Sequence, residues 1–300
     1  MAYAAKIVAD SISESGIRLT TMEITFPRSV LSEFNTHRAF SRNSASSRAI
    51  PVEKQLKRIQ EDPFIPDYWG ANQSGMQAHQ EIDTHSRPAA ISLWLNARDH
   101  ALYCAKTLHE LGVHKQTVNR LLEPFMWHTV IVTATDWSNF FALRANPDAQ
   151  PEIRTIAEMM MDAYSSSTPK LVSRGEWHLP FIQPDEYDGV FEFSETARKV
   201  SSARCARVSY LTHDGLRDHG KDLELYERLV SGGHMSPLEH VATPHYTEQD
   251  RVEFAASDGF ECGQTTFKSS SVMIGNFRGW KQLRKFIPHE DDFGKVSKTG

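Results

Sequence analysis

Thr36-His37-Arg38-Ala39-Phe40-Ser41-Arg42-Asn43-Ser44-Ala45-Ser46-Ser47-Arg48 is the stretch on which the reading of this chain turns. It gathers a histidine, three arginines, an asparagine and four serines, and Phe40 is its only large apolar side chain. A run this polar offers too little apolar surface for a core element. Two readings fit it. One is a solvated basic loop, the usual fate of a run of charge. The other is a phosphate cradle, because arginine presents a planar fork suited to phosphate while serine and asparagine add short hydrogen bonds.

The totals bound what surrounds it. A chain of 300 residues can bury a sizeable core in one large domain or two. With 40% hydrophobic and 24% charged residues it has the composition of an ordinary globular protein. The net charge of -5 argues against broad, sequence-independent nucleic-acid binding, which needs a basic surface. Any phosphate site must therefore be local, and no polymeric nucleic acid is expected as a partner. Cys104, Cys205 and Cys262 are widely spaced and form no Cys-x-x-Cys pair. That is no disulfide framework and suits a reducing, cytoplasmic setting. The first ten residues lack the apolar core of a signal peptide. No run approaches the length needed to span a membrane.

Outward from the polar stretch, 17–26 is rich in β-branched residues and partly alternating, which predicts a strand ended by Pro27. Residues 30–34 predict a short helix that delivers the polar stretch, and Pro51 closes it. A helix is expected over 52–61. Residues 62–88 are rich in Pro, Gly, Asn and Gln but carry Phe64, Tyr68 and Trp69. An ordered loop lining a cleft is expected there, with a disordered linker as the alternative. Ala97, Ala101, Ala105 and Leu108 recur at helical spacing, so 89–111 reads as the clearest helix, stopped by Gly112. His100, His109 and His114 do not share one helical face and show no zinc-type pairing, so no metal site is expected. A helix starting at 117–122 is interrupted at Pro124, 128–135 is a short β-branched run, and 153–164 predicts an amphipathic helix. The polar, proline-punctuated segment 165–190 is a weak boundary, and 221–230 is helix-like.

The pattern His37-Arg38-x-x-Ser41-x-Asn43-x-x-Ser46-x-Arg48 resembles the signature of the flavin-dependent thymidylate synthases. Those enzymes methylate dUMP using FAD, methylenetetrahydrofolate and a reduced nicotinamide. The signature usually begins Arg-His-Arg, and here Thr36 holds the first place; Ser44 and Ala49 stand where Glu and Tyr are common. A second piece, Asn139-Phe140-x-x-Leu143-Arg144 followed by Ala149-Gln150 and Glu152-Ile153, is similar to another segment of the family. Ala206-Arg207-Val208-Ser209-Tyr210, then Gly233-His234-x-Ser236-x-x-Glu239-His240, resemble two more, and Gly275-Asn276-Phe277-Arg278-Gly279-Trp280 resembles a fifth. In the usual order the Ala206 and His234 pieces precede the arginine-rich signature; here they follow it. The fifth usually precedes the Asn139 piece, a place occupied here by the shortened Thr135-Asp136.

The resemblance implies an α+β fold of the thymidylate synthase complementing protein type, with a mixed sheet and long helices, circularly permuted or split; partial duplication is the alternative. It divides the chain into a half at 1–185 and a half at 186–300 within one intertwined fold. It implies that Ser46 and Arg144 serve catalysis, and that Glu33, Ser46, Ser47, Arg48, Arg120 and Arg144 bind the nucleotide, with Arg144 opposite Ser46 and Arg48. It implies that FAD is held by His37, Arg38, Asn139, Ser209, His234, Ser236, Glu239, Asn276 and Arg278. Glu239 does not share a helical face with His234, so that piece reads as a turn entering a helix with Ser236 as N-cap and Pro237 as first helical residue. Methylenetetrahydrofolate and NADPH are implied as co-substrates, and a homo-oligomer, tetramer or dimer, as the assembly. No cysteine stands beside a suitable base in the sequence, which counts against the route through a cysteine nucleophile. The alternatives are a pyrimidine-nucleotide hydroxymethylase, a nucleotide-binding relative without flavin chemistry, and a single-strand nucleic-acid binder, the last disfavoured by charge.

Overall fold

The structure is a computed structural model and describes residues 2–75, 77–186, 190–208, 217–245 and 273–296. Its centre is a five-stranded mixed sheet in the order β3-β4-β2-β1-β5. The strands are β1 (Ala4–Ser13), β2 (Arg18–Pro27), β3 (Ser41–Ser44), β4 (Trp127–Ala134) and β5 (Lys170–Val172). All neighbours are antiparallel except β1 and β5. Gly16, at φ +79°, closes the β1–β2 hairpin, a left-handed position that glycine takes without strain.

The two faces of the sheet carry different chemistry. From β2 and β4, Met22, Ile24, Phe26, Val130, Val132 and Ala134 form one apolar face. They pack with Val30, Phe34 of α1 (Leu31–Phe34), Phe140 of α5 (Ser138–Arg144) and Ile153, Ile156, Ala157 and Met160 of α6 (Pro151–Ser166). The other face presents Thr21 and its cross-strand partner Thr133, both fully buried. Segments that follow β5 cover it. Thr21 Oγ1 lies 2.7 Å from both Thr133 Oγ1 and His178 Nε2, and Thr133 Oγ1 lies 2.8 Å from His240 Nδ1. Ser11 Oγ completes the chain at 2.8 Å from His178 Nδ1.

Three further clusters complete the core. Beside the sheet, α2 (Val52–Glu61), α3 (Ser86–Glu110) and the turn of 3-10 helix Asn119–Phe125 pack around Val52, Ile59, Ala105, Leu122 and Phe125. In the C-terminal half, α7 (Glu195–Arg207) and α8 (His219–Ser231) bury Ala197, Val200, Ala203 and Tyr226 against Leu238 and Val241. A small cluster ties the halves together: Ile17, Leu19 and Val172 meet Ala242 of β6 (Ala242–Pro244), Phe277 and Trp280.

The predicted strand and the helix over Val52–Glu61 are both present, as is the long helix ending before Gly112, whose φ is +82°. Pro124 does not end the element but sits inside the 3-10 turn that follows the short α4 (Lys115–Val118). The piece at Ser236–Glu239 is a single 3-10 turn preceded by Met235, so Ser236 opens the turn rather than capping a helix.

Candidate functional site

The polar stretch is not a solvated loop. It includes edge strand β3, and His37, Phe40, Ser41, Ala45 and Ser47 are buried. Its polar groups tolerate burial because they find partners: His37, Ser41, Asn43 and Ser47 from distant segments, Arg42 from carbonyls nearby. Asn119, fully buried, fixes the far end by donating to the carbonyls of Ser47 at 2.7 Å and Ile50 at 3.0 Å.

Each remaining motif piece reaches this stretch. Arg144, from α5, donates its Nε–H to His37 Nε2 at 3.0 Å. Asn43 donates to the Cys205 carbonyl at 2.8 Å, at the threshold of the Ala206 piece. The turn Ser236–Glu239 packs on β3, and the Glu239 charge acts on the Arg42 guanidinium. Asn276 donates to Ser41 Oγ at 3.0 Å and to the Ala39 carbonyl at 3.3 Å, while Gln282 Nε2 donates to Asn276 Oδ1 at 2.8 Å and to Ser41 Oγ at 3.0 Å. The hairpin of β7 (Met273–Ile274) and β8 (Phe277–Arg278) thus lies where Thr135-Asp136 leaves β4. Arg278 donates its backbone N–H to Thr135 Oγ1 at 3.1 Å and pairs with Asp136 at 3.4 Å.

The expected nucleotide residues fall into two groups. Ser47 and Arg120 both donate to Glu123, at 3.3 and 2.9 Å, and Arg28 reaches the same carboxylate at 3.3 Å. Ser46 is half-buried and Arg48 is exposed on the adjoining turn. Arg144 belongs to the second group, with His37, Thr36 and Glu33. Burial raises the Glu33 carboxyl above its ordinary pKa, opposed by the Arg144 charge, and Glu33 Oε2 is buried without a hydrogen-bond partner. Burial, with Arg144 and Arg42 adding to it, lowers His37 to about 4, so the imidazole is neutral and can accept.

The expected flavin residues also divide. Arg38, Asn139, His234, Ser236 and Arg278 are exposed. His37 is buried, the Asn276 amide is bonded within its own neighbourhood, and Glu239 is paired with Arg284 at 2.7 Å. Ser209 lies outside the described residues. A cleft of about 750 Å³ opens between Tyr68, Gly70, Gln77–His79 and the start of α6. Its lining residue Glu152 acts on Glu33. The loop expected to line a cleft does so. Sequence reasoning quoted Phe140, Asp136 and His240 only as parts of motif pieces or of the shortened loop, and did not single out Glu123, Gln282, or the chain that joins His178, Thr21, Thr133 and His240. Glu123 stands three residues after Arg120, the one local hint; the others are joined only by the fold.

Residues 18–170 match the family described as thymidylate synthase complementing protein, Thy1. The chain belongs to that family. The match takes in the signature and the Arg144 piece and stops short of the Ala206, His234 and Asn276 pieces. No curated protein matches the chain significantly. Among solved structures, it is similar to the UMP/dUMP methylase PolB from Streptomyces cacaoi, at 15% identity and TM-score 0.46, over 55% of this chain and 90% of that one. It is also similar to flavin-dependent thymidylate synthase ThyX from Helicobacter pylori, at 17% identity and TM-score 0.34, over 49% and 67%. Among the described residues, no helix is long and apolar enough to cross a membrane.

Proposed function

We propose that this Thy1-family chain methylates dUMP at C5, with FAD as redox cofactor, methylenetetrahydrofolate as carbon donor and NADPH as reductant. The observation that carries this reading is the convergence of the scattered motif pieces on one short segment that ends in β3. Arg144, the Cys205 carbonyl, Glu239 and Asn276 all meet residues of the 37–43 segment.

The donors present fit a diphosphate-bearing flavin. Arg38 and Arg278 supply positive charge, and His234 and Ser236 supply further hydrogen-bonding groups, all exposed on segments that adjoin β3 or the stretch leading to it. When bound, FAD supplies the hydride that no side chain can donate. Asn276, bonded to Ser41 and Gln282, and Glu239, paired with Arg284, would shape the wall of the flavin site. Ser46, Ser47, Arg48 and Arg120 would hold the nucleotide phosphate, for which charge-assisted bonds from arginine are the strong class, worth about 1.5–3 kcal/mol each. Phosphate would compete with Glu123 for Ser47 and Arg120. Arg144, half-buried, would place its remaining N–H donors on the pyrimidine, where a guanidinium stabilises negative charge as the ring becomes reactive. The separation of the Ser47–Arg120 group from Arg144 suits a site shared between copies of the chain, so a homo-oligomer, tetramer or dimer, is part of the proposal.

The test supplies purified protein with FAD, methylenetetrahydrofolate, NADPH and dUMP and analyses the nucleotide. The expected result is dTMP, with NADPH oxidation that depends on dUMP. A hydroxymethylated nucleotide would support the hydroxymethylase instead. Unchanged dUMP from protein that retains FAD would overturn methylation.

A further inference from the structure

The resemblance assigns His37 to the flavin; in the structure its Nε2 is already engaged by Arg144. The ring is 8% exposed. Phe40 stacks on one side with centroids 5.8 Å apart, and Phe140 meets it edge-on at 4.9 Å. Phe140 and Arg144 lie one turn apart on α5, so the helix that carries the guanidinium also clamps the imidazole. The contact between them has a defined polarity. Arg144 Nε is a donor under all conditions, so His37 Nε2 must be the acceptor and Nδ1 must carry the proton. A protonated imidazole could not make this bond.

We propose that His37 is a positioning residue for Arg144: by accepting the Nε–H, it fixes the plane of the guanidinium and leaves its outer N–H groups turned toward a pyrimidine. The proposal rests on the reading that Arg144 meets the nucleotide. Thr36 provides a weaker second hold, with Arg144 Nη2 3.5 Å from its Oγ1, and Thr36 is itself fixed by donating to the Glu33 carbonyl at 2.6 Å. Arg42 points to the same corner, donating to the carbonyls of Phe34 and His37 at 3.3 and 3.2 Å. The charged groups around the ring are Arg144 on α5 and Arg42 on β3, with Glu33 on α1 and Glu152 on α6 acting on Arg144's side. Both arginines disfavour a proton on His37, which protects the acceptor at neutral pH.

Two measurements on the full chain test this. The first needs no activity: the ring nitrogens of His37 are followed by NMR as pH falls. The expected result is a neutral Nδ1–H tautomer that persists to about pH 5, and a titration moved upward by Arg144→Ala. An ordinary histidine titration, or one unmoved by Arg144→Ala, would overturn the pairing. The second measures dUMP affinity of FAD-loaded protein. His37→Phe is expected to weaken dUMP binding about tenfold or more, the size of a lost hydrogen bond to a charged group, with FAD affinity unchanged. His37→Gln, whose Oε1 can accept in the place of Nε2, is expected to restore most of it. Full dUMP affinity in His37→Phe, no rescue by Gln, or parallel loss of FAD would each refute a positioning role. If the parent protein binds no dUMP, the functional reading fails while the NMR result still decides the pairing.

Discussion

Asp222 shows what single side chains do for this fold. It is fully buried and accepts from Arg204 Nε at 3.0 Å and Arg207 Nε at 2.8 Å. Arg204 also donates to Glu186 at 2.7 Å, so two helices and the segment before α7 share one charge network. Asp222→Ala leaves two arginines facing a void, and should lower stability by about 3–5 kcal/mol in urea unfolding. Thr133 is a second such point. It bridges Thr21 and His240, and Thr133→Val strands the buried His240 Nδ1 and leaves the Thr21 hydroxyl with His178 alone. The expected loss is about 1–3 kcal/mol, read from the urea midpoint. Little of this was legible beforehand. Arg144 and the signature could be quoted from the chain because their spacing is local. The roles of Glu123, Gln282 and Asp136 were not, because each depends on a partner far away in sequence. His37 marks the boundary: its presence was legible, and its burial between two phenylalanines was not.

At the scale of elements, strands with apolar periodicity and capped helices were readable from the residues alone. β2 and α2 are where the pattern puts them. β3 was not, since Ser41–Ser44 has no apolar residue; it is a strand because its backbone pairs with β4 and its side chains bond to the C-terminal hairpin and α7. β1 escaped notice for a related reason, being short of large side chains and bulged between Ile7 and Ala9. The link between the hairpin and the sheet can be tested at Gly279. Its φ is +64°, and a Cβ there would lie 2.4 Å from Ile17 Cδ1. Gly279→Ala should cost about 1–2 kcal/mol for the backbone alone, plus the clash. Ile17→Val in the same protein should recover only the clash, so the two changes should be non-additive in thermal unfolding. Additive losses would place the hairpin elsewhere.

At the scale of the whole molecule, four histidines among the described residues are buried and held neutral. Burial, helped by Arg28 and Arg58, lowers His128 to about 3; burial lowers His178 and His240 to about 3, and His37 to about 4. Their folded pKa values lie below the ordinary 6.5, so the stability they protect is complete above pH 6.5 and is lost as pH falls toward 3. Each contributes a slope of up to about 1.4 kcal/mol per pH unit in that window. The urea midpoint should be flat from pH 8 to 7 and fall steadily from about 6 to 4; a flat profile down to pH 5 would show that these rings are solvated. Two of the four, His178 and His240, sit on the sheet face that the segments after β5 cover, so the same acid window loosens the contact on which the site depends.

The convergence of the motif pieces on the segment that ends in β3 is tested most directly by a flavin spectrum. The full chain is mixed with FAD, freed of excess by gel filtration, and titrated with dUMP while the visible absorbance is followed. The expected result is retained flavin whose bands shift and saturate as dUMP is added, because nucleotide and flavin share one site. Protein that emerges colourless, or that keeps a flavin spectrum indifferent to dUMP, would contradict the single shared site.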